Sequence, residues 1–187
     1  MENDVTRMIA GWLCFGVVAA AGLFVVYAVA IIFIGVVADW RKPRTKVYDK
    51  VQWYGEVGEQ VGYRAACVPI GMLLGWLIDA GLMHHEYILD EEVENDIAQF
   101  KKRLITGPQI YESIDGTLVD DMLSDRGNRF MNWYLRQYYG DFASTLCNGE
   151  FDEQCFNVID SWENYDRLQR VLDARFQTWR EKFERTK

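Results

Sequence analysis

The chain has 187 residues, half of them hydrophobic, and a formal net charge of −8. Residues 1–83 carry seven Lys or Arg and seven Asp or Glu, whereas residues 84–187 carry thirteen against twenty-one, so all the net charge lies in the second part. An acidic surface argues against nucleic acid and anionic lipid headgroups as partners of that part, because both bind cationic faces. It fits a basic protein partner, or simple solubility.

Residues 8–38 form a run of 31 residues without a charged side chain. As a helix this run would measure about 46 Å, more than the ~30 Å hydrocarbon core of a bilayer. The preceding residues 1–7 have neither the basic region of a signal peptide nor the Arg-rich composition of a transit peptide. The run therefore predicts a retained transmembrane anchor.

A second apolar stretch, residues 65–83, is long enough for a helix of about 28 Å, which would just cross a bilayer. A re-entrant or interfacial helix is the alternative, because the stretch is short and contains a carboxylate. Gly71 and Gly75 form a GxxxG pattern, which lets another helix approach closely. Asp79 follows on the same face, and we expect it to point toward protein or interfacial water.

The predicted loop between the two spans, residues 39–64, is basic next to the first span, where it carries Arg41, Lys42, Arg44 and Lys46. The fifteen residues after Met83 contain no Lys or Arg. By the positive-inside rule, the loop is predicted to face the cytoplasm or the mitochondrial matrix. Both termini would then lie on the opposite side, in the periplasm or the intermembrane space.

The predicted fold class is a membrane-anchored all-α protein, with a membrane domain over 1–83 and an acidic, mainly helical extramembrane domain over 84–187. The clearest helix is 157–185, where large apolar side chains recur every three or four residues. We expect one face of this helix to be buried against protein, in part against another subunit: Trp162, Leu168, Leu172, Phe176, Trp179 and Phe183. No segment shows a convincing strand alternation.

Cys147 and Cys155 flank a short segment that begins with the turn signal Asn148-Gly149. The chain can double back there, and the predicted topology puts this domain where disulfides persist. We therefore predict a Cys147–Cys155 disulfide, with a pair of free thiols as the alternative. Cys14 and Cys67 lie in the predicted spans and are interpreted as small apolar residues.

The sequence contains no recognisable catalytic, cofactor or metal motif. His84 and His85 are the only histidines, and adjacent residues on a helix point about 100° apart, so they are poorly placed to share a metal. The acidic run 90–96 lacks the residue order of a calcium-binding EF-hand loop. We therefore expect a protein without catalytic residues, cofactors or a bound metal.

Three hypotheses for the function follow. The first is a non-catalytic accessory subunit of a large membrane complex in an energy-converting inner membrane, mitochondrial or bacterial, such as a respiratory complex or an ATP synthase. Its partners would be other membrane subunits and the lipid bilayer. The second is a membrane-anchored adaptor or receptor that binds a soluble partner through its C-terminal helix. The third is a thiol–disulfide redox protein, although its two cysteines lack the usual C-x-x-C spacing.

Overall fold

The computed structural model describes residues 45–184, and the chain from Thr45 onward forms one compact unit. The unit begins with strand β1, which is followed by a 3-10 turn and two short helices. These elements are β1 (Val47–Lys50), the turn (Val51–Tyr54), α1 (Gly55–Val61) and α2 (Tyr63–Ala66). The predicted span at 8–38 lies outside the described residues.

Helix α3, Val68–Asp79, lies at the centre of the unit, and every residue from Val68 to Ile78 is buried. Pro69 stands in its first turn, where a missing N–H costs no hydrogen bond. Ile70, Leu73 and Leu77 have no exposed surface, because neighbouring helices cover α3 on all sides. Such an all-round apolar helix belongs either in a membrane or in a protein core.

The predicted second span at 65–83 is therefore wrong. Twelve residues of α-helix extend only about 18 Å, too little to cross a bilayer. The helix ends at Asp79, and Gly81 then takes a positive φ of 66° that turns the chain away. Across residues 45–184, no helix is both long enough and apolar enough to span a membrane.

The helices around α3 come from the rest of the chain. The first three are α4 (His85–Ile88), α5 (Glu91–Lys101) and α6 (Gly107–Ser113), and the two long ones are α7 (Asp125–Leu146) and α8 (Trp162–Phe183). Two aromatic residues of α7 contact α3: the Phe130 and Trp76 ring centroids are 5.2 Å apart, and the Tyr138 hydroxyl donates to the Pro69 carbonyl. The expected helical character of the acidic half is confirmed.

The last helix begins later than the sequence predicts. Ser161 caps it by accepting a hydrogen bond from the Asn164 N–H, and residues Glu153–Asn157 form a separate 3-10 turn. A serine at this position satisfies a backbone donor that the first helical turn leaves free. The helix therefore spans Trp162–Phe183 rather than 157–185.

Strand β1 pairs antiparallel with strand β2, Thr117–Val119, with Asp49 opposite Leu118. The sequence analysis did not anticipate these strands. Because β1 lies within the predicted loop 39–64 and β2 within the predicted domain 84–187, residues 45–64 and 84–184 must lie on the same side of any membrane. The predicted placement of that loop and the C-terminus on opposite sides is wrong.

Candidate functional site

Gly71 and Gly75 lie where helix α6 crosses α3. A Cβ atom built on Gly71 would come within 2.3 Å of the Pro108 Cα, and one built on Gly75 would come within 3.3 Å of the Gly107 Cα. Only glycine permits two backbones to approach this closely. The structure thus places the GxxxG pattern against a helix of the same chain rather than one from a neighbouring subunit.

Asp79 points toward protein at the end of α3. One carboxylate oxygen is 2.6 Å from the Lys101 Nζ, and the other accepts a hydrogen bond of 2.5 Å from the Tyr165 hydroxyl. These contacts join the C-terminal end of α3 to helices α5 and α8.

The predicted apolar face of α8 is covered mostly by its own chain. Leu168, Leu172 and Trp179 are buried, and Trp162 and Phe176 are half-buried. The Phe176 ring packs 5.1 Å from Phe130 of α7. Phe183, at the end of the helix, remains 52% exposed. Another subunit could therefore bury only this end of the predicted face, rather than a large part of it.

The structure joins Cys147 and Cys155 by a disulfide, with their Cα atoms 5.6 Å apart. The loop that it closes carries Phe151, which packs 4.9 Å from the Tyr139 ring. Phe156, directly after the loop, packs 5.0 Å from the Tyr54 ring. The disulfide thus holds two phenylalanines over two tyrosines.

We expect the double variant Cys147→Ser/Cys155→Ser to lose about 2.5 kcal/mol of unfolding free energy, the chain-entropy value for so short a loop. Urea unfolding of the full chain in detergent, followed by near-ultraviolet circular dichroism, measures the change. Wild-type protein treated with a reductant should behave like the variant, and Cys14→Ser is the control. Equal stability of variant and untreated wild type would contradict a native disulfide.

Tyr54 and Tyr139 belong to a cluster of tyrosines around Asp49, which is only 3% exposed. Its Oδ1 accepts a hydrogen bond of 2.8 Å from Tyr111, and its Oδ2 accepts bonds of 2.9 Å from Tyr54 and 2.7 Å from Tyr139. Burial raises the pKa of the Asp49 carboxyl, while the three hydrogen bonds oppose that shift. Burial, followed by the charge of Asp49, raises the pKa of each tyrosine, so the hydroxyls stay protonated as donors.

The Asp49 cluster ties together β1, the following 3-10 turn, α6 and α7. No sequence pattern reveals it, because the tyrosines stand 5, 62 and 90 residues from Asp49 along the chain. The enclosed carboxylate is fully occupied by hydroxyl donors, which suits a structural link between elements.

Two adjoining cavities of about 490 and 460 Å³ form an open cleft on the acidic side of the unit. They share Glu86 and Tyr87. We define the acidic cleft by its seven carboxylate residues: Glu86, Asp90, Glu92, Asp96, Asp120, Asp121 and Asp125. Its apolar lining consists of Val93, Ile114, Met122 and Leu123.

No Lys or Arg lines either cavity. Within residues 45–184, none of the seven carboxylates forms an ion pair. Several are held by neutral donors: Asp96 accepts from the Ser113 hydroxyl, Asp120 from the Lys46 N–H and Asp121 from the Thr45 hydroxyl. The cleft therefore concentrates negative charge on carboxylates, several of which hydrogen bonds hold in place.

The two histidines do not form a shared site. His84 lines the acidic cleft, while His85 begins helix α4 and lines neither cavity. Among the residues that the structure describes, no three His, Cys, Asp or Glu side chains are grouped to hold a metal ion. No local sequence pattern joins the acidic run 90–96 to Asp120 and Asp125.

Comparison with known proteins identifies a family. A family model described as "Domain of unknown function (DUF7832)" matches residues 47–158. The matched part contains the Asp49 cluster, the crossing of α3 and α6, the acidic cleft and both disulfide cysteines. No curated protein and no solved structure matches the chain. Because the match covers more than half of its length, the chain belongs to the DUF7832 family.

Proposed function

We propose that this protein is a non-catalytic accessory subunit of a membrane complex, anchored through residues 8–38, and that it binds a cationic segment of a protein partner in the acidic cleft. The observation that carries this proposal is the cleft itself. It combines an apolar lining with seven carboxylates, none of which forms an ion pair within residues 45–184, in two cavities that share Glu86 and Tyr87.

The charge of the whole unit favours such a partner. Residues 45–184 contain fourteen Lys or Arg and twenty-five Asp or Glu, a net charge of −11. Complementary charge steers association and selects among partners. The methylene stems of Lys or Arg side chains would pack on Val93, Ile114 and Met122, while their charged ends reach the carboxylates.

Two features of the chain bear on the side of the membrane on which the unit lies. Because Arg41, Lys42 and Arg44 directly precede Thr45, the positive-inside rule favours the cytoplasmic or matrix side for residues 45–184. The Cys147–Cys155 disulfide favours the opposite, oxidising side, so the proposal does not assign the unit to one side of the membrane. The narrower hypothesis of an energy-converting inner membrane depended on the predicted topology together with a disulfide on the outer side. The proposal therefore keeps the membrane complex and leaves its type open.

The adaptor hypothesis that uses the C-terminal helix has less support. The apolar face of α8 packs on α3 and α7 of its own chain, and Phe183 is the one predicted member of that face that is exposed. The acidic cleft, by contrast, offers seven carboxylates to a cationic partner.

The test is the variant Glu86→Lys/Glu92→Lys, which reverses two cleft charges. It leaves unchanged Asp120 and Asp121, which accept hydrogen bonds from Lys46 and Thr45. We expect recovery of partner subunits from native membranes in mild detergent to fall about tenfold, as lost charge complementarity implies. Quantitative mass spectrometry of the purified complex measures this recovery.

The matched control is Glu59→Lys/Glu163→Lys, which changes the net charge equally at exposed residues outside the cleft. A carbodiimide cross-link should also join Glu86 or Glu92 of the wild type to a lysine of the partner. Equal partner recovery with both double variants would refute the proposal.

A further inference from the structure

We propose that a second surface of the unit lies against an anionic lipid bilayer. We call this surface the aromatic groove, and it is lined by Arg129, Asn132, Trp133, Trp179, Phe183 and Glu184. The inference rests on one part of the proposed function, the anchor at residues 8–38.

The aromatic groove has a volume of about 830 Å³ and lies between helices α7 and α8. Trp179 is buried at its base, whereas Trp133 is half-buried and Phe183 is 52% exposed. The Trp133 and Phe183 ring centroids are 6.3 Å apart, so the two rings form one apolar patch. Aromatic side chains of this kind are enriched at the headgroup level of membranes.

Three exposed cations surround this patch. Arg129 lines the groove, the Lys182 Nζ lies 5.2 Å from the Phe183 ring centroid, and the Lys46 Nζ donates a hydrogen bond to Asn132. Within the described residues none of these three forms an ion pair. Glu184 is neutralised by Arg126, whose guanidinium donates two bonds of 2.7 and 2.6 Å to it.

A unit with a net charge of −11 therefore exposes a locally cationic, aromatic surface here. Lys and Arg residues close to a membrane are attracted by its anionic lipids. The overall charge of residues 84–187, taken as an average, disfavours lipid headgroups as partners. This surface differs from the average of that half, because Arg129, Lys182 and Lys46 gather around its aromatic side chains.

The segment that connects the proposed anchor to the unit, which we call the tether, is short. Only six residues, 39–44, separate the uncharged run from Thr45, and even fully extended they span no more than about 25 Å. Lys46, the next residue, reaches the groove through its bond to Asn132. The groove thus lies beside the point where the tether joins the unit.

Asp120 and Asp121 lie beside the same point, since they accept hydrogen bonds from Lys46 and Thr45. Anionic lipid repels these carboxylates and attracts the cations of the groove. Close to the tether, the groove is therefore the surface that such a lipid favours. Repulsion of the acidic cleft in turn leaves the cleft in the aqueous phase, where the proposed partner can reach it.

The experiment uses the full chain carrying Cys14→Ser, reconstituted into vesicles of phosphatidylcholine with or without phosphatidylglycerol. An environment-sensitive fluorophore is attached at Phe183→Cys or, as the reference position, at Trp53→Cys, since Trp53 is 61% exposed and lies outside the groove. Cys67 is buried and the other two cysteines are bonded, so they do not react. Lipids with a quencher near the headgroup report contact with the bilayer.

In anionic vesicles we expect strong quenching at position 183 and weak quenching at position 53. Adding Arg129→Glu/Lys182→Glu should lower the bilayer-bound population about tenfold, because two attractions become repulsions. The control Lys102→Glu/Arg170→Glu reverses two exposed charges outside the groove and should leave the quenching unchanged.

Equal quenching at the two positions, or full quenching after the groove charges are reversed, would overturn this inference while the anchor stands. Shielding at position 183 that grows with the protein-to-lipid ratio in neutral vesicles would overturn it in favour of a second copy of the chain. Extraction of the wild type by alkaline carbonate would overturn the anchor itself, and the tether argument with it.

Discussion

Replacing Gly71 by alanine is expected to lower the free energy of unfolding by about 3 kcal/mol, at the upper end of overpacking effects. The added Cβ would lie 2.3 Å from the Pro108 Cα and 2.7 Å from its nitrogen. Both obstacles are backbone atoms, so no side-chain rotation relieves the clash, and helices α3 and α6 must separate. Urea unfolding of the full chain in detergent measures the loss.

Gly140→Ala is the matched control for this prediction. Gly140 lies inside helix α7, and a Cβ built there meets no atom within 4 Å. The same substitution should raise the free energy of unfolding by about 0.5–1 kcal/mol, because alanine loses less backbone freedom on forming a helix. If the two variants are equally stable, α3 and α6 do not pack through their glycines.

Replacing Asp49 by alanine is expected to cost about 3–5 kcal/mol of unfolding free energy, because it leaves three tyrosine hydroxyl groups without their hydrogen-bond acceptor. Tyr54, Tyr111 and Tyr139 would each lose the acceptor that the carboxylate provides. Asp49→Asn keeps the shape and one oxygen, so its loss should be clearly smaller. Similar losses from both variants would show that packing, rather than hydrogen bonding, sets the effect.

The pH dependence of the Asp49 contribution has a defined sign. Burial raises the pKa of this carboxyl in the folded state, so folding favours its protonated form. Its contribution is then fully present below the ordinary carboxyl pKa and is lost as the pH rises through the raised value. Burial raises the pKa of the neighbouring Cys67 thiol to about 12. Burial also raises the pKa of each of the three tyrosines, so neither the thiol nor these hydroxyls titrate over the pH range in which Asp49 does.

We therefore expect the wild type to gain stability relative to Asp49→Asn as the pH falls through the raised pKa of Asp49 toward the ordinary carboxyl pKa. Unfolding curves of both proteins across this range provide the comparison. A relative loss of wild-type stability on acidification would mean that the tyrosine hydrogen bonds outweigh burial and lower the pKa of Asp49.

Local patterns in the sequence identified several elements of this protein. The spacing of apolar residues predicted an amphipathic last helix, and GxxxG marked a surface that the structure places under close helix packing. The Asn148-Gly149 turn between two cysteines suggested the pair that the structure joins. Each of these features depends on residues within about one or two turns of each other, so periodicity and spacing express it directly.

Tertiary structure decided where the apolar run 65–83 belongs. A helix that is apolar all round satisfies a bilayer and a protein core equally well, and its own residues carry no information about what surrounds it. Helices α5 to α8, contributed by later parts of the chain, supply that cover and turn a predicted span into the centre of the unit.

The same holds for the sites. The Asp49 cluster, the acidic cleft and the aromatic groove each combine side chains that are dozens of residues apart, such as Asp49 with Tyr139 and Lys46 with Asn132. Composition alone determined that the second half of the chain is acidic. Only the packing of helices and the pairing of β1 with β2 determined where that charge gathers, because the distance between two side chains depends on the path of the whole chain between them.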